Sequence, residues 1–195
     1  MAIRVKTKWH KGDKQRDPKQ LGSALAVTVW RASYDSLNNL FKKEYAIQSR
    51  EHAFFMLSEY IAFLVHYIDR IAYDMVDDEL RAGVIQEMAL RLTEYMEAEV
   101  AGPEGDKEVK DSFIRRMNDR LANYATFEYD GDKPEYACLR YFALKLMEVM
   151  EKQDQLWIID QMIEIEIPAL LKLVRQTVNG VLVTDDEGEE ASGHA

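Results

Sequence analysis

A chain of 195 residues with 47% apolar side chains can bury one sizeable core, and that apolar share excludes a wholly disordered polypeptide. Its formal net charge of -10 argues against a general nucleic-acid binder, which needs a basic face for phosphates, and against attraction to an anionic membrane surface. The single cysteine, Cys138, leaves no intramolecular disulfide and no cysteine-based zinc cluster to be made.

Residues 1–17 read as a flexible basic arm, with Arg4, Lys6, Lys8, Lys11, Lys14 and Arg16 against Asp13 and Asp17. Such an arm suits an acidic protein partner or surface, or RNA or DNA with Trp9 stacking on a base; the plainer and preferred reading is a solvated terminus. It has no apolar core of the secretory kind, and no apolar stretch reaches the ~20 residues of a membrane span. A cytoplasmic protein with no membrane contact is expected.

Asp17-Pro18 is a helix start, with Asp17 as N-cap and Pro18 at the first helical position. Trp30, Tyr34, Leu37, Phe41 and Tyr45 then recur at spacings of three and four, which predicts one long helix to about residue 45. Ser49 is the expected N-cap of the next helix. That helix, about 50–76, is apolar on nearly every face through Phe54, Leu57, Tyr60, Phe63, Leu64 and Ile68, so it belongs at the centre of the core. Asp77 and Asp78 should cap a third helix whose inward stripe is Leu80, Val84, Met88, Leu92, Tyr95 and Val100.

The run Ala101-Gly102-Pro103-Glu104-Gly105-Asp106 is the clearest break, a loop or a boundary. Beyond it Val109, Phe113, Met117, Leu121 and Tyr124 form one stripe, which places Lys110, Arg115, Arg116, Asp119 and Arg120 on the solvent side. Asp130 to Pro134 reads as a turn with Pro134 opening the next helix. It fails as a calcium loop, because Glu135 stands where the sharp turn needs Gly and Tyr141 where a bidentate Glu is needed. A fifth helix buries Cys138, Phe142 and Leu146. A last one, capped by Asp154, should bend at Pro168 and stop at Asn179-Gly180. Residues 184–195 read as a disordered acidic tail.

Four polar residues interrupt the central helix: Glu59, His66, Asp69 and Arg70. His52, Glu59 and His66 are seven apart and share a face, yet ~1.5 Å of rise per residue puts successive members ~10 Å apart, too far for one metal. His66 and Asp69, one turn apart, are the better pair, as metal ligands or with Asp69 orienting the imidazole; Glu59 or Arg70 joins only with help from another helix. A dinuclear carboxylate site needs Glu three residues before His, where this chain has Ser49 and Phe63. Further oxygen ligands for a single metal would come from Glu94 and Glu97 or from Asp160 and Glu164, although acids at such spacing line any solvated helix. The opposing reading is a satisfied polar network, with Arg70 pairing Asp69, Asp74 or Glu59 and fixing helix register. Cys138 becomes a nucleophile only beside an activating histidine.

Taken together, the sequence predicts an all-α, compact bundle of about six helices around the central helix at about 50–76. The expected organisation is the arm at 1–17, one helical domain at 18–183 and the tail at 184–195. Function reads first as a non-enzymatic interaction or assembly protein. Apolar surface on the first and last helices would make a homodimer, and the charged ends would add electrostatic contacts. The alternative is a bundle that binds a metal or small ligand, with or without catalysis, through His66, Asp69 and Glu59.

Overall fold

The computed structural model describes residues 17–43, 45, 49–101, 106–152 and 154–183. The basic arm before Asp17, the loop at 102–105 and the acidic tail lie outside the described residues. The elements in order are α1 (Pro18–Lys42), α2 (Arg50–Tyr73), α3 (Asp78–Ala101), α4 (Lys107–Tyr124), β1 (Tyr129–Asp130), β2 (Lys133–Pro134), α5 (Tyr136–Met147), α6 (Gln155–Gln161) and α7 (Ile167–Leu182). A π-helical turn, Met162–Glu166, joins α6 to α7 without interruption, so these two form one rod and the fold is a six-helix bundle.

Local signals set the helix starts. The Asp17 carboxylate accepts from the Lys19 N–H at 2.9 Å, with Pro18 in the first turn. Ser49 Oγ accepts from the His52 N–H, and Asp77 Oδ1 from the Leu80 N–H. Each satisfies an N–H that the first helical turn leaves without a partner.

Every residue from Met56 to Ile68 is buried, so α2 has no solvent face over more than three turns. It packs against α1, α3, α4, α5 and α7, which makes it the axis of the bundle. Around its middle, Phe63 stacks on Phe142 of α5 with ring centroids 4.4 Å apart, and Tyr60 meets the same ring edge-on. α1 and α3 make the most extensive helix pair, and they approach unusually closely. A Cβ on Gly22 would lie 2.7 Å from the Val84 carbonyl oxygen, and one on Gly83 would lie 2.9 Å from Pro18 Cβ. Small residues on both helices permit that approach.

Three expectations are corrected. Pro134 does not open α5: it pairs with Tyr129 in a two-residue-loop hairpin, where Gly131 takes φ 61°, and Glu135 becomes the helix N-cap. A proline is tolerated there because a two-stranded ribbon leaves its missing N–H facing no partner strand. The last helix does not stop at Asn179-Gly180 but runs to Leu182, where Val178 and Leu182 continue its buried stripe. Val100, expected inward, is exposed, while Met96 is fully buried. The π turn is the local answer to Pro168: the helix widens just before the residue that cannot donate, and the Ile167 N–H bonds back to the Met162 carbonyl.

Candidate functional site

The four polar residues of α2 have separate fates. Glu59 is fully buried and faces α4, where Arg120 Nε donates to its Oε2 at 2.6 Å and Arg116 Nη1 stands 3.8 Å from its Oε1. Burial pushes its carboxyl above the usual range, and the hydrogen bond and charge of Arg120 oppose that rise. The Arg116 guanidinium in turn lies over the Phe55 ring, 4.2 Å from its centroid. A buried carboxylate is thus matched by two cations from a neighbouring helix, as its desolvation requires.

His66 lies one heptad further along α2 and is 6% exposed. Its ring stacks on Tyr124 at 5.6 Å and meets Tyr129 edge-on at 5.5 Å. Nε2 is buried without a hydrogen-bond partner. Burial pulls the imidazole down to about 4; Asp69 opposes this and Arg70 adds to it, so the ring is neutral at pH 7. Asp69 is paired with Arg81 of α3 at 2.9 Å, and the other end of that guanidinium holds Asp78. Arg70 is exposed and lies over the Tyr129 ring, 5.2 Å from its centroid.

The partner expected for the acids is therefore corrected. Arg70 serves neither Asp69 nor Glu59; Arg81 and Arg120 do. Arg116 and Arg120, assigned to the solvent side of α4, instead reach inward. The signal was present, since Arg120 sits three residues after Met117 and four before Tyr124, within the apolar stripe. A guanidinium on that stripe needs a buried acid opposite it.

Around His66 the helices leave a cleft of about 480 Å³ between α2, α3 and the end of α4. Asp69, Arg70, Arg81 and Gln86 give it polar edges, and Ile85, Leu121 and Phe127 an apolar wall. Glu59 does not line it. Of the other sequence candidates, Glu94 pairs with Arg91 and Glu97 with Lys110, while Asp160 and Glu164 are exposed on the last helix. His52 is half-buried near the start of α2. Among the described residues, no three or more His, Cys, Asp or Glu side chains come together so as to hold a metal ion. Cys138 is buried with its Sγ 3.9 Å from the Tyr129 hydroxyl, and burial pushes the thiol up to about 11, so it is no thiolate at neutral pH.

No protein-family model, curated protein or solved structure matches this chain. Among the described residues, no helix is long and apolar enough to cross a membrane.

Proposed function

We propose that the protein is a non-enzymatic interaction or assembly protein that presents the outer face of its last helix to a second copy of the chain. The observation that carries this reading is the apolar stripe of Trp157, Ile165 and Leu173, which are 69%, 55% and 52% exposed on the rod from α6 to α7. Eight α-helical residues overshoot two turns by nearly one residue, and a π turn takes up about one residue more than an α turn. The π turn at Met162–Glu166, which contains Ile165, takes up part of that overshoot and brings Trp157 and Ile165 nearer to one side, and Ala169 and Leu173 follow at four-residue steps. On α1, which packs beside α7, the half-exposed Val27, Tyr34 and Phe41 repeat every seven residues, the spacing of a seam between helices. A homodimer through these two helices would cover both stripes, and the charged ends would contribute steering contacts, the basic arm toward an acidic partner.

Light scattering after size exclusion tests it. The 22.7 kDa chain should elute as a dimer, and Trp157→Glu with Leu173→Glu should return it to monomer at unchanged helicity. A parent that stays monomeric at every concentration overturns the reading. Deleting residues 1–16, which spares the Asp17 cap, should weaken salt-sensitive binding to an acidic partner while leaving the dimer intact.

A further inference from the structure

We propose that the cleft between α2, α3 and α4 binds a small amphipathic organic anion, its carboxylate held by Arg70, Arg81 and His66 and its apolar body laid against Ile85, Leu121 and Phe127. This goes beyond the assembly reading and uses a different face of the molecule.

Size and lining come first. At about 480 Å³ the cleft lies within the range of small-molecule sites, roughly 300–1,000 Å³, and it combines an apolar wall with a few convergent polar groups. The polar groups then decide the charge of the ligand. Asp69 is the only acid lining the cleft among the described residues, and it is occupied by Arg81 at 2.9 Å. Arg81 uses Nη1 for Asp69 and Nη2 for Asp78, which leaves its Nε–H buried without a partner. Arg70 makes no ion pair with any described residue. The edge thus offers a cation without an ion-pair partner, Arg70, which rests over the Tyr129 ring, and a buried guanidinium N–H that a ligand meets when Arg81 shifts, and no spare acid.

His66 supplies the third contact. The ring lines the cleft and its Nε2 is buried without a hydrogen-bond partner, so a turn of the ring that brings this nitrogen to the ligand breaks no hydrogen bond, and one tautomer of the neutral ring donates from it. An acceptor-only group with two oxygens matches two guanidinium groups, one of them without an ion-pair partner, and a neutral imidazole donor, which describes a carboxylate. A cation meets Arg70, and a neutral alcohol leaves the charge of Arg70 unused.

The test uses octanoate and benzoate as probes, with octan-1-ol and octylammonium as controls, on the full-length protein. Binding is followed by calorimetry and by the ring resonances of His66, assigned by their loss in His66→Gln. At least one acid should bind saturably and shift the His66 ring. The alcohol and the amine should bind at least about tenfold more weakly, a difference of about 1.4 kcal/mol. Arg70→Gln lies at an exposed position and should weaken the acid about tenfold while keeping the thermal midpoint. Leu121→Trp should block the cleft. The proposal is overturned if neither acid moves the His66 ring below about 10 mM, a concentration corresponding to negligible affinity. It is equally overturned if alcohol and acid bind alike, or if Arg70→Gln leaves binding unchanged.

Discussion

Replacing Arg120 by Met strips the fully buried Glu59 carboxylate of its 2.6 Å donor and leaves only Arg116, whose Nη1 stands 3.8 Å away. At an effective dielectric constant of about 20 the gross attractions are roughly 6 and 4 kcal/mol, and desolvation of the three groups cancels much of that sum. We expect Arg120→Met to cost about 3 kcal/mol, since it leaves a buried charge half matched. Glu59→Gln should cost about 2 kcal/mol, because both guanidinium groups keep some access to water and a neutral amide still accepts a hydrogen bond. The double variant should lose about 3 kcal/mol rather than about 5, a coupling of about 2 kcal/mol. The pH dependence gives a second check. Glu59 titrates above its ordinary value because of burial, and removing Arg120 deletes the main opposing influence, so its folded-state value rises further. A folded value above the unfolded one stabilises at low pH and is lost as pH rises, so the deficit of Arg120→Met should shrink as pH falls from 7 toward 5. Urea unfolding followed by circular dichroism at both pH values measures all of this. Additive single variants, with a coupling below about 0.5 kcal/mol, would show that the pair is a bystander and would refute the argument from burial.

The close crossing of α1 and α3 predicts that Gly22→Ala destabilises despite the better helix propensity of alanine. The gain is about 1 kcal/mol, while a Cβ 2.7 Å from the Val84 carbonyl oxygen forces backbone to move at a cost of roughly 2–3 kcal/mol. A net loss of about 1–2 kcal/mol in urea unfolding is expected, and a stabilised variant sinks the idea. At Gly131 the neighbourhood is open and only φ 61° matters, so Gly131→Ala should cost about 1 kcal/mol and Gly131→Asn less. Equal costs for the two would mean that backbone conformation is not the cause.

Much of the scaffold was legible because its signals are local. Asp17-Pro18, Ser49 and Asp77 mark helix starts through caps that act within three residues. The run from Met56 to Ile68 announces a buried axis because no polar face remains on it. The site was less legible, since spacing tells which face a residue occupies but not what stands opposite. Glu59 and Asp69 were visibly in need of cations, yet the nearest arginine along the chain, Arg70, was the wrong one. Arg81 and Arg120 come from other helices, and a long guanidinium stem lets a residue at the margin of a stripe reach into it. The hairpin was hidden for another reason: two-residue strands have no alternation to read. The π turn was signalled by Pro168, but a bend and a widened turn are both ways to accommodate a missing N–H, and sequence does not choose between them.

The two internal polar sites of α2 differ in a way that separates fold from function. Glu59 has its cations, Arg120 hydrogen-bonded to Oε2 and Arg116 3.8 Å from an Oε1 that accepts no hydrogen bond, and removing it should harm the fold; His66 has a buried nitrogen with neither a hydrogen bond nor an ion pair, and the fold gains nothing from that atom. His66→Leu removes a polar group whose unsatisfied burial costs about 1–3 kcal/mol, and forfeits ring contact with Tyr124 worth about 0.5–1.5 kcal/mol. At pH 7.5 the variant should be as stable as the parent or about 1 kcal/mol more so. Lowering the pH should widen the gap. The imidazole titrates at about 4 in the fold, depressed first by burial and then by Arg70 with Asp69 opposing. Its unfolded value is about 6.5, so between the two the unfolded chain takes up a proton that the folded one refuses, and the parent loses about 1.4 kcal/mol per pH unit. The stability that neutral His66 contributes is complete above pH 6.5 and is lost as the pH falls toward 4, to a total of roughly 3 kcal/mol; the leucine variant should lack that slope. Urea midpoints at pH 7.5 and 5 decide the matter. A loss of 2 kcal/mol or more at pH 7.5 in His66→Leu, on the scale of a broken buried network, would make the imidazole a structural member and remove the reason to look for a ligand beside it.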